Sequence, residues 1–290
     1  MWGLSMRYKG IIFDMDGVLV DSEPIYLQEV IDYILDELKE DVGYLELKRE
    51  MNKIVGASDD KMFEIMSEYL NHKYSPEEIK ASMWSKELGL DYRTILNPHV
   101  LYVLPKLKAK GYKLAIASSS SMENIKTVTR QCGIDQYFDC MVSGVDFKES
   151  KPDPAIYLET LRRLDLKPEE VIAIEDSTYG IQACMGANIR VIAKEDNRYD
   201  FNQDLADEIA SDILDAYNII KYWNLEENYF FSCKRLHYIL ITGILWLYKW
   251  YAITYRSQAG IIEWYKSSVR NWKRGCIDEK IYFSITCLYV

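Results

Sequence analysis

Short apolar segments alternate with longer amphipathic segments along the first 224 residues of this chain. The short segments are mostly continuous apolar runs, which is typical of strands that are covered on both faces of a sheet. The longer segments have the spacing of helices with one apolar face. This order predicts an α/β fold, a doubly wound parallel sheet with helices on both faces. The predicted strands are residues 10–13, 113–117, 140–143, 171–174 and 190–193.

About 100 residues separate the first predicted strand from the second, far more than one crossover helix needs. Apolar residues in this stretch recur at helical spacing over residues 27–38 and 62–70. Ser75 and Glu78 have the spacing of a capping box, and no alternating run rich in Val, Ile or Thr appears between residues 21 and 96. We therefore expect an all-helical cap inserted into the core. The expected division is a core at residues 6–20 and 97–225, a helical cap at 21–96 and an extension at 226–290.

The chain has 290 residues, with 45 Asp and Glu against 35 Lys and Arg and a formal net charge of −10. This acidic balance disfavours a dedicated nucleic-acid binder. The six cysteines have no paired spacing and only three histidines are present, so a zinc site or a disulfide framework has no support. The first residues lack the apolar segment of a secretory signal, which predicts a cytoplasmic protein. Met6 is a second candidate start, because the periodic pattern begins directly after it.

Charge and aromatic content change near residue 227. Residues 228–290 hold nine Lys or Arg, three Asp or Glu and fifteen aromatic residues. The longest uncharged stretch there, residues 236–248, is shorter than the roughly 20 residues that span a bilayer. A marginal membrane segment or an interfacial helix stays open, but membrane contact is not the favoured interpretation. We expect an extension with no assigned chemistry.

Two carboxylates follow the first predicted strand directly. Asp14 and Asp16 precede Gly17, a residue that allows the chain to turn away tightly. The carboxyl edge of an open α/β sheet is where such folds bind ligands. One carboxylate there can act as a nucleophile while the other transfers protons. An isolated pattern of this kind can also be a turn that merely ends a strand, so the interpretation depends on the other strand ends.

Polar residues at later strand ends support a site. The second strand runs into four serines, residues 118–121, where the Ser118 hydroxyl and backbone N–H groups before a helix form a possible phosphate cradle. Lys151 stands at the entrance of the next helix, and Glu175 and Asp176 end the strand at 171–174. Each feature alone is common, but all of them belong to the same edge of one sheet.

Several carboxylates crowded at one edge repel one another unless a cation lies among them. Oxygen ligands without His or Cys nearby indicate Mg²⁺ rather than zinc. The lysine then faces a negatively charged substrate, and the serine loop indicates that this substrate carries a phosphate.

These residues resemble the motifs of the haloacid dehalogenase superfamily of phosphohydrolases. Asp14 to Gly17 with Asp21 is similar to its first motif and Ser118 to its second, in the family's order and spacing. Lys151 is similar to its third motif, and Glu175 with Asp176 to its fourth. The resemblance extends from about residue 6 to about residue 225. A helical cap after the first motif is typical of the branch with beta-phosphoglucomutase and sugar-phosphate phosphatases.

The resemblance implies a role for each matching residue. Asp14 would be the nucleophile that forms an aspartyl-phosphate, and Asp16 the acid that protonates the leaving oxygen and then activates water. The transferring phosphoryl group would be held by Ser118, the Ser119 N–H and Lys151. The Mg²⁺ ligands would be the Asp14 carboxylate, the Asp16 backbone carbonyl and Asp176, with Glu175 as a further or supporting ligand.

Two positions bear on the reaction type. Relatives of the beta-phosphoglucomutase kind carry a His ten residues after the second aspartate and an Arg three residues after a cap glycine. This chain has Tyr26 and, counted from Gly56, Asp59 at those places. An acid where a second phosphate would dock is unfavourable by Coulomb repulsion. We therefore expect a monomeric phosphatase for a small phosphorylated metabolite, a sugar phosphate; a phosphosugar mutase and a catalytically silent interaction module are the alternatives.

Overall fold

The computed structural model describes residues 7–83 and 89–224 of the chain. These residues belong to the first of the two units into which the chain divides, Met1–Asn228 and Tyr229–Val290. The predicted extension at 226–290 and the candidate start at Met6 lie outside the described residues. Within the described ranges, none of the helices has the length and apolar character needed to cross a membrane.

In the described part of the chain, six parallel strands form one sheet in the order β3-β2-β1-β4-β5-β6. The five predicted strands are confirmed, each within one residue of its predicted range. The sixth was not predicted, because three residues with two exposed side chains form no continuous apolar run. The strands are β1 (Gly10–Phe13), β2 (Lys113–Ser118), β3 (Cys140–Ser143), β4 (Val171–Glu175), β5 (Arg190–Lys194) and β6 (Glu208–Ala210).

Helices cover both faces of this sheet. Consecutive side chains of β1 point to opposite faces. Phe13 joins a hydrophobic cluster with residues of α5, α6 and α9, and Ile12 joins another with residues of α7 and α8. Burial on both faces explains the continuous apolar runs of the strands. These helices are α5 (Val100–Ala109), α6 (Met122–Gln131), α7 (Ala155–Leu164), α8 (Thr178–Gly186) and α9 (residues 213–224).

The regular elements described between Glu23 and Ile95 are helices and helical turns, as predicted for the cap. Their apolar side chains form a hydrophobic cluster of their own, which Tyr199 of the core also joins. The predicted capping box is confirmed, because the Ser75 N–H donates to Glu78 Oε2 at 2.8 Å and the Glu78 N–H donates to Ser75 Oγ at 3.2 Å. The longer helices here are α1 (Glu23–Asp32), α2 (Tyr44–Met51), α3 (Asp59–Tyr69) and α4 (Pro76–Met83), with a π-helical turn at Tyr33–Glu37.

The direction in which strands are added to the sheet reverses at β1. β2 and β3 lie on one side of it, and β4, β5 and β6 lie on the other. Open α/β sheets bind ligands outside the carboxyl ends of their strands at such a reversal. Phe13 is in register with Ile174, so the residues that follow these two positions are neighbours at the reversal.

The two segments that join the helical cap to the core lie side by side near the end of β1. The Asp21 N–H donates to the Ile95 carbonyl at 2.7 Å. The Asn97 side-chain amide donates to the carbonyls of Gly17 and Val18 at 3.1 and 2.8 Å. Both junctions are therefore hydrogen-bonded beside the residues that follow β1.

Candidate active site

Four of the candidate site residues, Asp14, Lys151, Glu175 and Asp176, meet where the strand order reverses. Asp14 follows β1 directly, and its N–H donates to the Ile174 carbonyl of β4 at 3.0 Å. Glu175 ends β4 and Asp176 follows it. Carboxylate oxygens of Asp14, Glu175 and Asp176 lie within 4.8 Å of one another, and all three residues are buried. We call these three residues the acidic group.

Lys151 lies at the centre of the contacts made by the acidic group. Its Nζ donates to Asp14 Oδ1 at 2.6 Å, to Glu175 Oε1 at 2.7 Å and to the Ala117 carbonyl at 3.1 Å. Burial acts to lower the pKa of Lys151, but the charges of Asp14 and Glu175 outweigh it and raise this pKa above its usual value. Lys151 therefore stays protonated, although its side chain is only 5% exposed.

Lys151, the cation that binds the acidic group, carries one positive charge against three buried carboxylates. Burial, followed by the charges of neighbouring carboxylates, raises the pKa of Asp176 well above its usual range, and burial raises that of Asp14 in the same direction against the effect of Lys151. Among the residues that the structure describes, none is a hydrogen-bond partner of the buried Asp176 Oδ2 atom. Hard carboxylate oxygens with an unpartnered atom among them are a fitting donor set for Mg²⁺.

Glu175 differs from the other two members of the acidic group, because protein groups bind both of its oxygens. Oε1 accepts from Lys151 and from the Tyr157 hydroxyl, and Oε2 accepts from the Asp176 N–H at 3.2 Å. These contacts make Glu175 better suited to orient Lys151 and Asp176 than to be the main ligand of an ion. Tyr157 was missed in the sequence, where a tyrosine at helical spacing in α7 cannot be told from a core residue.

Asp16 lies on the other side of this edge, against the serine loop formed by residues 118–121. Its Oδ1 accepts from Ser22 Oγ at 2.6 Å, and its Oδ2 accepts from Ser120 Oγ at 2.9 Å and from Ser118 Oγ at 3.4 Å. The carboxylate of Asp16 thus lies outside the acidic group. The ligand role expected for this residue belongs to its backbone carbonyl and stays a prediction. In the sequence, no signal separates Ser120 from the other three serines of this loop.

The serine loop is held by the strand and loop beside it. Ser118, the last residue of β2, is buried, and its Oγ accepts from the Ser120 N–H at 3.1 Å. Ser143 Oγ donates to the Ser120 carbonyl at 2.8 Å. Ser119 is half-buried, and a side chain at Gly144 would come within 3.0 Å of its Cα. These contacts fix the loop beside Asp16.

The helical cap brings further acids toward the site. Burial and the charges of Asp16 and Asp14 raise the pKa of Glu23, in the first turn of α1, to about 8. Burial also raises the pKa of Asp59, with a smaller contribution from Asp16. Ser58 is the N-cap of α3, and its Oγ accepts from Ser150 Oγ at 3.1 Å. The cap is therefore in contact with the loop that carries Lys151.

Asp21, the last residue assigned to the first motif, does not join the acidic group. It binds Arg198, with Oδ1 2.6 Å from Nη2, and Arg198 also binds Asp196. Asp21 therefore ties the junction of the helical cap to the loop after β5.

Known proteins share this arrangement of elements. Residues 11–194 match the family model described as haloacid dehalogenase-like hydrolase. The chain is 34% identical over 185 residues to the phosphorylated carbohydrates phosphatase of Thermotoga maritima, covering 63% of this chain and 83% of that protein. It is 28% identical to hexitol phosphatase B of Escherichia coli, covering 62% and 81%. The crystal structure of a proposed beta-phosphoglucomutase from Thermotoga maritima is 31% identical with a TM-score of 0.58. The match covers 74% of this chain and 99% of that one.

Proposed function

This chain belongs to the haloacid dehalogenase-like hydrolase family, and we propose that it is a Mg²⁺-dependent phosphatase of small phosphorylated sugars or polyols, acting through an aspartyl-phosphate. The observation that carries the proposal is the contact of Lys151 with Asp14 and Glu175 at the reversal of strand order. On the opposite side, the Asp16 carboxylate accepts a hydrogen bond from the serine loop. Two curated relatives are named as phosphatases of phosphorylated carbohydrates and of hexitols.

In this proposal Asp14 is the nucleophile. Lys151 binds one of its carboxylate oxygens, which leaves the other to attack phosphorus as the bond from phosphorus to the leaving oxygen breaks. Asp16 gives a proton to that oxygen. Water then attacks the aspartyl-phosphate while Asp16 takes a proton from it, and inorganic phosphate leaves with the Asp14 carboxylate restored. Lys151, the Ser118 hydroxyl and the Ser119 N–H hold the phosphoryl oxygens.

The proposed metal ligands are the Asp14 carboxylate, the Asp16 backbone carbonyl and Asp176, with Glu175 supporting them. A bound Mg²⁺ supplies positive charge against the phosphoryl oxygens. The Oδ2 atom of Asp176, which is buried and unpartnered within the described part of the chain, supports this assignment. Neutralisation of the acidic group would also lower the pKa values that burial raises in Asp14 and Asp176.

Acids from the cap support a substrate with one phosphate. Glu23 and Asp59 both lie close enough to Asp16 for its charge to affect their pKa values. A second phosphate on the substrate would be repelled here, whereas sugar or polyol hydroxyls can donate hydrogen bonds to carboxylates. We therefore favour a phosphatase for monophosphates. The beta-phosphoglucomutase description of the Thermotoga structure keeps a mutase as the second candidate.

The test is phosphate release with and without Mg²⁺. We expect p-nitrophenyl phosphate and a set of hexose and hexitol monophosphates to be hydrolysed with Mg²⁺, and the reaction to stop in EDTA. Sugar bisphosphates should have a kcat/KM at least about tenfold lower, because of charge repulsion. Formation of glucose 6-phosphate from beta-glucose 1-phosphate, without phosphate release, would favour the mutase. A chain that neither releases phosphate from any ester nor forms glucose 6-phosphate would instead be a catalytically silent interaction module.

Gly17 offers a test of the metal site. Its φ is +75°, and a Cβ there would lie 1.9 Å from Asp176 Oδ2, so Gly17→Ala must displace that carboxylate. We expect a loss of about 100-fold in kcat/KM and a higher Mg²⁺ requirement, since small misplacements in a site have effects of this size. Gly111→Ala is the matched control, because Gly111 has φ +87° and no atom of the described ranges lies within 4 Å of an added Cβ. Equal activity of the two variants would contradict the assignment of Asp176.

Several expectations from the sequence stay predictions. These are the division into a core at 6–20 and 97–225, a cap at 21–96 and an extension at 226–290, and also a monomeric state and a cytoplasmic location. The division is supported by the site, because Asp14, Ser118, Lys151 and Asp176 all come from the two core segments. We include Asp16 and Glu175 in the same core.

A further inference from the structure

A chain of hydrogen bonds leads from Asp16 to a buried tyrosine that has no place in the mechanism above. Ser120 Oγ donates to Asp16 Oδ2 at 2.9 Å, and Asn124 Nδ2 donates to Ser120 Oγ at 3.2 Å. The Tyr92 hydroxyl donates to Asn124 Oδ1 at 2.9 Å, and the Tyr26 hydroxyl lies 3.3 Å from it. The chain therefore connects Asp16 with the first turn of α6, the second cap junction and α1.

The direction of this chain follows from the number of hydrogens that each group carries. A serine hydroxyl has one hydrogen, so Ser120 can donate to Asp16 only if its other neighbour donates to it. Asn124 donates to Ser120 when its NH₂ group faces Ser120, and it then presents its carbonyl to Tyr92. Tyr92 has one hydrogen and gives it to that carbonyl. Tyr26 must then donate to Tyr92.

A reversed Asn124 amide would have the opposite effect. Its carbonyl would face Ser120 and compete with Asp16 for the single hydroxyl hydrogen, while its NH₂ group would face Tyr92. The Tyr92 hydroxyl, on a residue that is 7% exposed, lies 2.9 Å from Asn124 Oδ1 and favours the first orientation, in which it donates to that oxygen. The backbone N–H of Tyr92 donates to Gln131 Oε1 at 3.1 Å, which fixes the tyrosine against α6.

We propose that Tyr92 and Asn124 are positioning residues, which orient the Ser120 hydroxyl toward Asp16 and so hold the carboxyl group that protonates the leaving oxygen. This inference rests on the proposed phosphatase function. Neither residue touches the phosphoryl group in the proposed mechanism. Both act through Ser120, whose backbone is already fixed by Ser143.

The leaving group gives a test that a merely structural role would not reproduce. The alkoxide of a hexose or hexitol needs a proton when it leaves, whereas p-nitrophenolate leaves readily without one, so only the first ester depends strongly on a well-placed acid. We expect Tyr92→Phe to lower kcat/KM about tenfold for the sugar phosphate and less than about twofold for p-nitrophenyl phosphate. Asn124→Asp should have a larger effect of the same kind. Both oxygens of the introduced carboxylate can only accept hydrogen bonds, and its negative charge repels Asp16.

Two controls complete the experiment. Tyr102→Phe removes the hydroxyl of a tyrosine that is 52% exposed on α5, and it should change neither rate. In a Ser120→Ala background, Tyr92→Phe should have no further effect, because the two residues act in series. Equal losses on both esters, or no loss on either, would overturn the positioning role. A wild-type chain inactive on both esters would overturn the proposed function, and this inference with it.

Discussion

Replacement of Asp14 by Asn is expected to lower kcat by about 10⁴-fold or more, the scale on which removal of a nucleophile acts. An amide oxygen can still accept the hydrogen bond from Lys151, so the site keeps its shape while losing the group that attacks phosphorus. The measurement is phosphate release at saturating Mg²⁺, together with a mass spectrum of the protein after rapid quenching. The wild type should carry a phosphoryl group that hydroxylamine removes, and the variant should not.

The same variant should fold at least as well as the wild type in EDTA. Burial raises the pKa of Asp14 well above its usual value, so the folded chain holds that proton more tightly than the unfolded chain does. The contribution of this group to stability is therefore present below the unfolded pKa and is lost as the pH rises through the folded one. At pH 7 the Asp14→Asn variant avoids this loss while Lys151 keeps Glu175 as its charged partner, so the melting temperature of the variant should not fall.

Asp135→Asn provides the matched control, because it makes the same change at an exposed side chain in the turn after α6. It should leave phosphate release unchanged. An Asp14→Asn enzyme with more than about a hundredth of the wild-type kcat would contradict the nucleophile assignment, since loss of covalent catalysis has much larger effects.

The sheet and the ends of its strands could be predicted because their signals are local. A continuous apolar run followed by Asp, Ser or Glu identifies a buried strand and the polar group after it. Parallel pairing then brings those groups to one edge. Asp14, Lys151 and Glu175 are far apart in sequence, yet a common topology was enough to predict that they meet, and they do so within hydrogen-bond distance.

Some contacts in the site could not be predicted, because no pattern in the surrounding sequence indicates which side chains form them. Tyr157 binds Glu175 across 18 positions, and Tyr92 binds Asn124 across 32. In the sequence, neither tyrosine can be told apart from one whose ring is simply packed in the core. The pattern predicts that the ring is buried but not which group the hydroxyl binds. Asp59 illustrates a double role: it lies in the first turn of α3, where an acid is favourable, and its pKa also responds to Asp16.

Replacement of Lys151 by Met is expected to destabilise the fold and to reduce activity. The change keeps the length of the side chain but removes the cation that binds Asp14 and Glu175, whose side chains are 9% and 0% exposed. Removal of one partner from a buried ion pair typically lowers the free energy of unfolding by about 3–5 kcal/mol, and we expect a loss of this size in EDTA at pH 7. At pH 5 the loss should be smaller, because burial raises the pKa of Asp14 and the carboxyl group can take up a proton.

Lys108→Met is the matched control for this experiment. Lys108 binds Asp139 at 2.7 Å, but the two side chains are 31% and 40% exposed, so its loss should lower the free energy of unfolding by less than about 1 kcal/mol. Added Mg²⁺ should recover part of the stability of Lys151→Met, because the metal ion then supplies positive charge to the same carboxylates. It should not stabilise Lys108→Met in this way.

Lys151→Met should also lower kcat by about 10²–10³-fold, since Lys151 holds a phosphoryl oxygen in the proposed mechanism. If both variants unfolded at the same denaturant concentration and retained activity, Lys151 would be neither the counter-ion of the acidic group nor a phosphate ligand.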